Sequence, residues 1–518
     1  MKLKKEKLNI VVPMAKIDEE FINEFQNFKY LSKLGNKNTI LSYSKKIFRE
    51  FQRKFNIKVY FLITEKIQNK YNIKKHIDKL DIKYQLITLK KETKNIIDTI
   101  LHADSYLVNK HEKIIVFHPD VSFKMNFDKF WKETKKDYDG IIFGYNHFNP
   151  TDYSSSNTGR FLITKDRKVK KIFEKSALKK NFITCAGMHY FKNWKVLKFF
   201  AEKLLNNKNL KYKLTSEIYN LMINKDLNVK YFEVKNFISF SNISSVSEHN
   251  FWNDYFLKNF KKYKNELKIN NVVPAAGSGK RHKEFNVFKP FIKISNKLMI
   301  HHALETLPVS KNNFVLLRRH VTNAYSNEIK TLKKNFYKDI KIIQINNKTD
   351  GMARSCLFLK KYINKDLPLM ISSCDYKFIF NEKKFNNFIS KENPDSVIFT
   401  FRGYPDARID PNSYAYVKTS KNKISKIVEK KTISKNPHKD FAVTGAFYFK
   451  NWHIFKKAVD KMIMKKNKVN GEYYVATAIQ ELLNKNYKIL NFEIDKFISW
   501  SLPVHLKTYL FWEEIFSK

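Results

Sequence analysis

Apolar and polar positions follow two rhythms along this chain, and the second half shows them most clearly. Short β-branched or aromatic runs, Ile269–Val273, Phe314–Leu317, Ile340–Ile345, Leu367–Ile371 and Val397–Phe401, read as strands. Stretches with helical spacing, Met352–Tyr362 and Phe385–Lys391, lie between them. This alternation predicts an α/β fold, layered as α/β/α around a mainly parallel sheet, with ligands at the carboxyl ends of the strands.

The pattern occurs twice. Asn9-Ile-Val-Val-Pro13 returns as Asn271-Val-Val-Pro274, and Glu24-Phe-Gln-Asn-Phe-Lys29 as Glu284-Phe-Asn-Val-Phe-Lys289. Phe117-His-Pro-Asp120 matches Ser372-Ser-Cys-Asp375, and Lys171-Ile-Phe-Glu-Lys175 matches Lys426-Ile-Val-Glu-Lys430. Tyr190-Phe-Lys-Asn-Trp194 likewise matches Tyr448-Phe-Lys-Asn-Trp452. A repeat of about 260 residues implies two tandem domains, 1–264 and 265–518, joined through the charged stretch Lys262–Lys268.

Composition narrows the class. At 518 residues and 43% hydrophobic, the chain can bury two or three substantial cores. The apolar run near the start contains Pro13 and stops at Lys16, which suits a first strand better than a signal peptide. No run approaches the length of a membrane span. Cys185, Cys356 and Cys374 are far apart and form no C-x-x-C, so reduced thiols and a cytoplasmic setting are expected.

A formal charge of +50 raises the question of nucleic acid. The lysines are spread evenly, while Lys, Asn, Ile, Phe and Tyr are abundant and Arg, Gly, Ala and Pro are scarce. Coding-sequence bias accounts for that pattern, so nucleic acid is not an expected partner. A basic protein that binds RNA or another polyanion stays as a rival reading.

The chemistry is concentrated in Asn271-Val-Val-Pro-Ala-Ala-Gly-Ser-Gly-Lys-Arg281, followed by Phe288-Lys-Pro-Phe-Ile292. A buried strand runs into the turn Ala276-Gly277-Ser278-Gly279, whose amides can approach an anion closely. Arg281 and Lys289 add positive charge suited to phosphate oxygens. The P-loop pattern is absent, as is the third glycine of a dinucleotide fingerprint.

These residues, Gly277-Ser-Gly-Lys-Arg281 with Lys289-Pro290, resemble the signature of the nucleotidyltransferases that make nucleotide-sugars and CDP-alcohols. The resemblance implies two nucleotide-diphospho-sugar transferase folds of the GT-A-like, Rossmann-like kind. It further implies transfer of NMP from an NTP, with CTP or UTP favoured, to a phosphorylated sugar or small alcohol. Pyrophosphate is the second product, Mg²⁺ is the cofactor, and surface glycan assembly is the expected setting.

Roles carry over by position. For the implied reaction Arg281 is expected on the departing pyrophosphate and Lys289 on the α-phosphate, while Asp375 falls where the family has a metal ligand. The second metal ligand aligns with Asp495, or with Ser499, which would leave the site one ligand short. Thr349 and Gly351 resemble the segment beside the nucleotide base, although a plain helix start capped by Thr349 or Asp350 reads equally well. Glu429, Lys430, Thr444 and Gly445 match the acceptor side. Arg354 is a further candidate for an anion, and Glu472 is either acceptor-facing or a cap.

The first copy departs where it matters most. Lys16-Ile-Asp-Glu-Glu20 replaces the glycine turn, Tyr30 replaces Pro290, and Lys235 stands where the second copy has Asp495. Asp120, Glu174, Lys175 and Gly187 persist, so a non-catalytic copy, or one with a changed ligand, is expected. A GT-A glycosyltransferase is the alternative enzyme, but Asp375-Tyr-Lys lacks the Asp-x-Asp that class uses. Whether the chain forms a homo-oligomer is left open by the sequence.

Overall fold

The computed structural model describes residues 5–154, 158–258, 266–336, 339–406 and 410–517. The chain divides into two compact units, Met1–Asp254 and Tyr255–Lys518. The linker expected at Lys262–Lys268 lies outside the described residues as far as position 265.

In the first unit the principal strands are β1 Lys7–Pro13, β2 Asn56–Thr64, β3 Tyr84–Leu89, β4 Lys113–Phe117, β5 Gly140–Tyr145, β6 Ile183–Phe191 and β7 Val229–Glu233. The second unit has β8 Asn270–Pro274, β9 Asn312–Arg318, β10 Ile340–Ile345, β11 Leu369–Ser372, β12 Ser396–Phe401, β13 Phe441–Phe449 and β14 Ile489–Glu493. Each sheet path runs third, second, first, fourth, sixth, fifth, seventh in order of appearance.

The sheets are mixed, which corrects the expectation of a mainly parallel one. Strands β8 to β11 are parallel, but β13 returns antiparallel between β11 and β12. A hairpin, Tyr416–Ser420 with Lys423–Val428, adds further antiparallel pairs. Hydrophobic pattern marks a strand but not its direction, and buried strands such as β11 and β13 read alike as apolar runs.

Burial explains why β8 is central. All five of its residues are buried, and Asn270 and Asn271 compensate by donating side-chain hydrogen bonds to carbonyls at Asn364, 2.8 Å, and Pro308, 2.7 Å. The carboxyl ends of β8 and β11 therefore sit side by side, and the loops leaving them share one mouth.

The stretch read as one helix over Met352–Tyr362 is a five-residue α-helix, Met352–Cys356, running into a 3₁₀ turn, Leu357–Lys361. Gly351 makes its entry. Its φ is +132°, and a Cβ there would lie 2.5 Å from the backbone N and O of Tyr473. The opposing segment is held by the Tyr473 N–H, which donates to the Asp350 carbonyl at 2.8 Å. Neither clash partner is a movable side chain. Gly351→Ala should therefore destabilise the second unit by about 2–3 kcal/mol or more. Urea unfolding followed by circular dichroism measures it, and a change below about 0.5 kcal/mol would show that the turn relaxes freely.

Candidate functional site

Pro274 ends β8, and Ala275-Ala276 leads into the glycine turn. Gly279 has φ +65°, in the left-handed region, whereas a Cβ added to Gly277 would meet nothing within 4 Å. Gly279 is thus required by the turn itself, while Gly277 leaves room in front of it. From the end of β9, the Arg318 guanidinium donates to the Gly277 carbonyl at 3.3 Å.

A 3₁₀ segment, Lys280–Phe285, follows and brings Arg281 and His282 to the mouth. Lys289 opens a second short turn, Lys289–Phe291, where Pro290 supplies a fixed φ and needs no donor. Its ammonium is hydrogen-bonded to the Asp375 carboxylate and lies 3.4 Å from the Ser501 carbonyl. The Lys289 and Asp375 side chains are only 16% and 9% exposed. Burial pushes the Asp375 carboxyl up, but the Lys289 charge and a hydrogen bond from the Ser373 hydroxyl outweigh it, leaving the group below the ordinary carboxylate range.

These groups line one cleft of about 610 Å³. The glycine turn, Arg281, Lys289 and Asp375 all line it, and so do Thr349 and Gly351. Glu429 and Lys430, which follow the hairpin strand Lys423–Val428, and Gly445 on β13 complete the lining. Burial pushes the Glu429 carboxyl up to about 7 against the opposing pull of Lys430. Lys430 has φ +54°, is hydrogen-bonded to the Ser413 carbonyl, and is held below the ordinary lysine value by burial against the attraction of Glu429. At Gly445 a Cβ would lie 2.7 Å from the Tyr376 ring, so the missing side chain is what lets that ring pack there.

Two predicted residues stand apart from the cleft. Thr444 faces into the sheet, where its hydroxyl donates to the Phe399 carbonyl at 3.0 Å. Asp495 is exposed beyond β14, and its N–H donates to the Ile379 carbonyl at 2.8 Å. Ser499, the other aligned position, is buried, with its hydroxyl 2.9 Å from that of Ser501 and 3.2 Å from His505 Nδ1. Asp375 is consequently the carboxylate beside the glycine turn, and among the described residues no group of three or more His, Cys, Asp or Glu gathers as a metal-ligand set.

The donor chemistry is compatible with a hard divalent cation such as Mg²⁺. Mg²⁺ is commonly held by one or two carboxylates together with substrate phosphates and retained waters. Asp375 meets that requirement, whereas a cage made wholly of protein ligands is not present among the described residues.

Other details depart from the sequence reading. Thr349 does not cap the helix; its hydroxyl pairs with that of Ser355 at 2.5 Å, and the helix has no side-chain cap. Arg354 is matched by Asp350 at 3.0 Å, and Lys468 also reaches Asp350 at 2.7 Å. Glu472 lines the cleft and does not cap the following helix, Val475–Leu483, whose N-cap is Tyr474. Tyr376, Tyr414, Tyr474 and His282 also line the cleft and escaped the sequence reading. Only Tyr376 and His282 had a signal, adjacency to Asp375 and Arg281.

Among solved structures, matches occur at low identity, each over about half of the chain. A nucleoside-diphosphate-sugar pyrophosphorylase from Vibrio cholerae RC9 matches at 17% identity and a TM-score of 0.38, covering 46% of this chain and 99% of that one. An inositol-1-phosphate CTP transferase from T. maritima matches at 16% and 0.38, covering 49% and 98%. No curated protein matches. The sequence pattern of the nucleotidyl transferase family matches residues 31–255 and 270–515, nearly the whole length. With that match, the chain belongs to the nucleotidyl transferase family.

Proposed function

We propose that the second unit transfers NMP from CTP or UTP to a phosphorylated sugar or small alcohol, releasing pyrophosphate for surface glycan assembly in the cytoplasm. The observation that carries this reading is the single cleft that unites the glycine turn, Arg281, Lys289, Asp375, Glu429 and Lys430 from distant parts of the chain.

An oxygen of the acceptor phosphate attacks the α-phosphorus, and the bond from that phosphorus to the bridging oxygen of pyrophosphate breaks. No protein base is needed, because a phosphate monoester is largely dianionic at neutral pH. The work left to the protein is alignment and charge neutralisation. Backbone amides of Gly277 to Gly279 seat the triphosphate, Arg281 balances the departing pyrophosphate, and Lys289 balances the α-phosphate. Lys430 holds the acceptor phosphate. Asp375 would hold Mg²⁺, which when bound supplies further charge neutralisation along the triphosphate.

The first unit we read as a degenerate, non-catalytic copy in tandem. The shared strand order supports this, as does its Lys29–Asp120 pair at 2.7 Å, which matches Lys289–Asp375 in kind. The glycine turn, however, is replaced by a helix, Glu19–Phe25, capped by Asp18. Three carboxylates there oppose a triphosphate. The remaining polar groups satisfy one another: the Ser216 hydroxyl bonds Glu174, His118 lies 3.3 Å from the Thr215 hydroxyl, and Lys175 sits 4.9 Å over the Tyr212 ring.

Pyrophosphate release with Mg²⁺ should require one triphosphate and one phosphomonoester, and Arg281→Ala or Asp375→Ala should each slow it by about 10²–10³. A matrix of the four ribonucleoside triphosphates and dTTP against sugar-1-phosphates and phosphocholine tests this. Release that survives both substitutions would reject the assignment.

Glu429 gives a pH dependence. Its carboxyl is neutral below about 7 and gains a negative charge above it, beside the Lys430 that holds the acceptor. The acceptor KM should rise as pH passes from 6.5 to 8, by about 3–10-fold at the weak end of one buried charge contact. Glu429→Gln cannot ionise and should flatten that rise. A profile unchanged by the substitution would remove Glu429 from the acceptor site.

A further inference from the structure

His282 follows Arg281 in the phosphate-facing segment, yet its ring is 1% exposed. The backbone leaves helical geometry there, with φ −105° and ψ 22°, which turns the residue off the axis of its short 3₁₀ segment. The ring Nε2 lies 3.0 Å from the Trp500 carbonyl. The Trp500 N–H in turn donates to the Asp375 carbonyl at 2.9 Å. The next residue, Ser501, presents its carbonyl 3.4 Å from the Lys289 ammonium.

A carbonyl can only accept, so Nε2 must carry the proton and donate. Burial and the nearby Lys289 charge favour the neutral ring, which has one donor and leaves Nδ1 without a proton. Nδ1 has no partner among the described residues, so this imidazole is buried at a cost that packing alone would not require. The first unit shows the apolar alternative: Phe21, also 1% exposed, lies beside its Lys29, with the ammonium 5.4 Å from the ring centre. A buried phenyl ring beside the corresponding lysine offers no such hydrogen bond, whereas His282 makes one.

We propose that His282 is a positioning residue that ties the phosphate-facing turn to Asp375 and Lys289 through Trp500. The link runs from the imidazole to the Trp500 carbonyl and from the Trp500 N–H to the backbone of Asp375. It fixes the placing of the phosphate-facing turn relative to the Lys289–Asp375 pair. This inference rests on the nucleotidyl-transfer reading for its consequence, but the hydrogen bond itself does not.

Calorimetric titration of CTP and of UTP, with Mg²⁺, into the full chain tests it in wild type, His282→Phe and His282→Gln. Phenylalanine fills the volume without a donor, whereas glutamine can present an N–H. We expect His282→Phe to weaken triphosphate binding by at least 10-fold while circular dichroism stays native, and His282→Gln to recover to within about 3-fold of wild type. Equal binding by wild type and His282→Phe overturns the inference, and so does His282→Gln failing as badly as His282→Phe. If wild type binds neither triphosphate, the functional reading fails, and ¹⁵N NMR of the labelled imidazoles decides the link by itself. A neutral ring protonated at Nε2 supports it; a proton on Nδ1 alone overturns it.

Discussion

The buried contact between Lys289 and Asp375 is the constraint on which the second unit's cleft depends. A lone carboxylate in that position would be costly to ionise, and a lone ammonium likewise. Together they form an ion pair at the junction of two segments far apart in sequence, with both side chains nearly out of solvent. Everything nearby follows from keeping that pair in register. Pro290 fixes the backbone beside Lys289, Ser373 occupies a second oxygen of Asp375, and the Trp500–Ser501 backbone bonds both partners. The pair also neutralises two opposite charges inside the cleft wall, so neither is left buried alone.

Much of this was legible because the informative residues are local. The glycine turn with Arg281, Lys289-Pro290, Asp375 after a buried strand and Glu429-Lys430 are each a few consecutive residues, and the structure brings them into one cleft. Direction and distance were less legible. Phe441–Phe449 reads as a strand, but nothing in its composition says that it inserts antiparallel between two others. Thr444 sits next to Gly445, yet alternation along that strand sends the threonine hydroxyl to a neighbouring carbonyl while the glycine faces the cleft. Asp495 and Ser499 show the same limit at a strand end, where a shift of register changes which side chain reaches the mouth.

Charge illustrates a different point. The formal excess of +50 belongs to the whole chain, whereas in the cleft Lys289 is paired with Asp375 and Lys430 is bonded to the Ser413 carbonyl. Burial near Glu429 and Lys430 moves both toward neutrality from opposite sides. Those shifts come from the immediate surroundings of the two groups, whereas the charge of the lysine-rich surface is screened by salt.

The antiparallel hairpin in the second unit has a bearing on solubility. Tyr416–Ser420 pairs with β13, while Lys423 pairs with Leu490 of β14, so five strands close into a ring through one residue pair. The first unit closes similarly through a bridge between Lys168 and Lys230. Ring closure consumes the backbone donors and acceptors that an open flank would expose. In a chain rich in phenylalanine, tyrosine and isoleucine, the opposite flank of each large sheet is β3 or β10, and β10 carries an exposed lysine there. The hairpin strand that closes the ring, Lys423–Val428, is thus also the one that leads directly into Glu429 and Lys430 at the cleft.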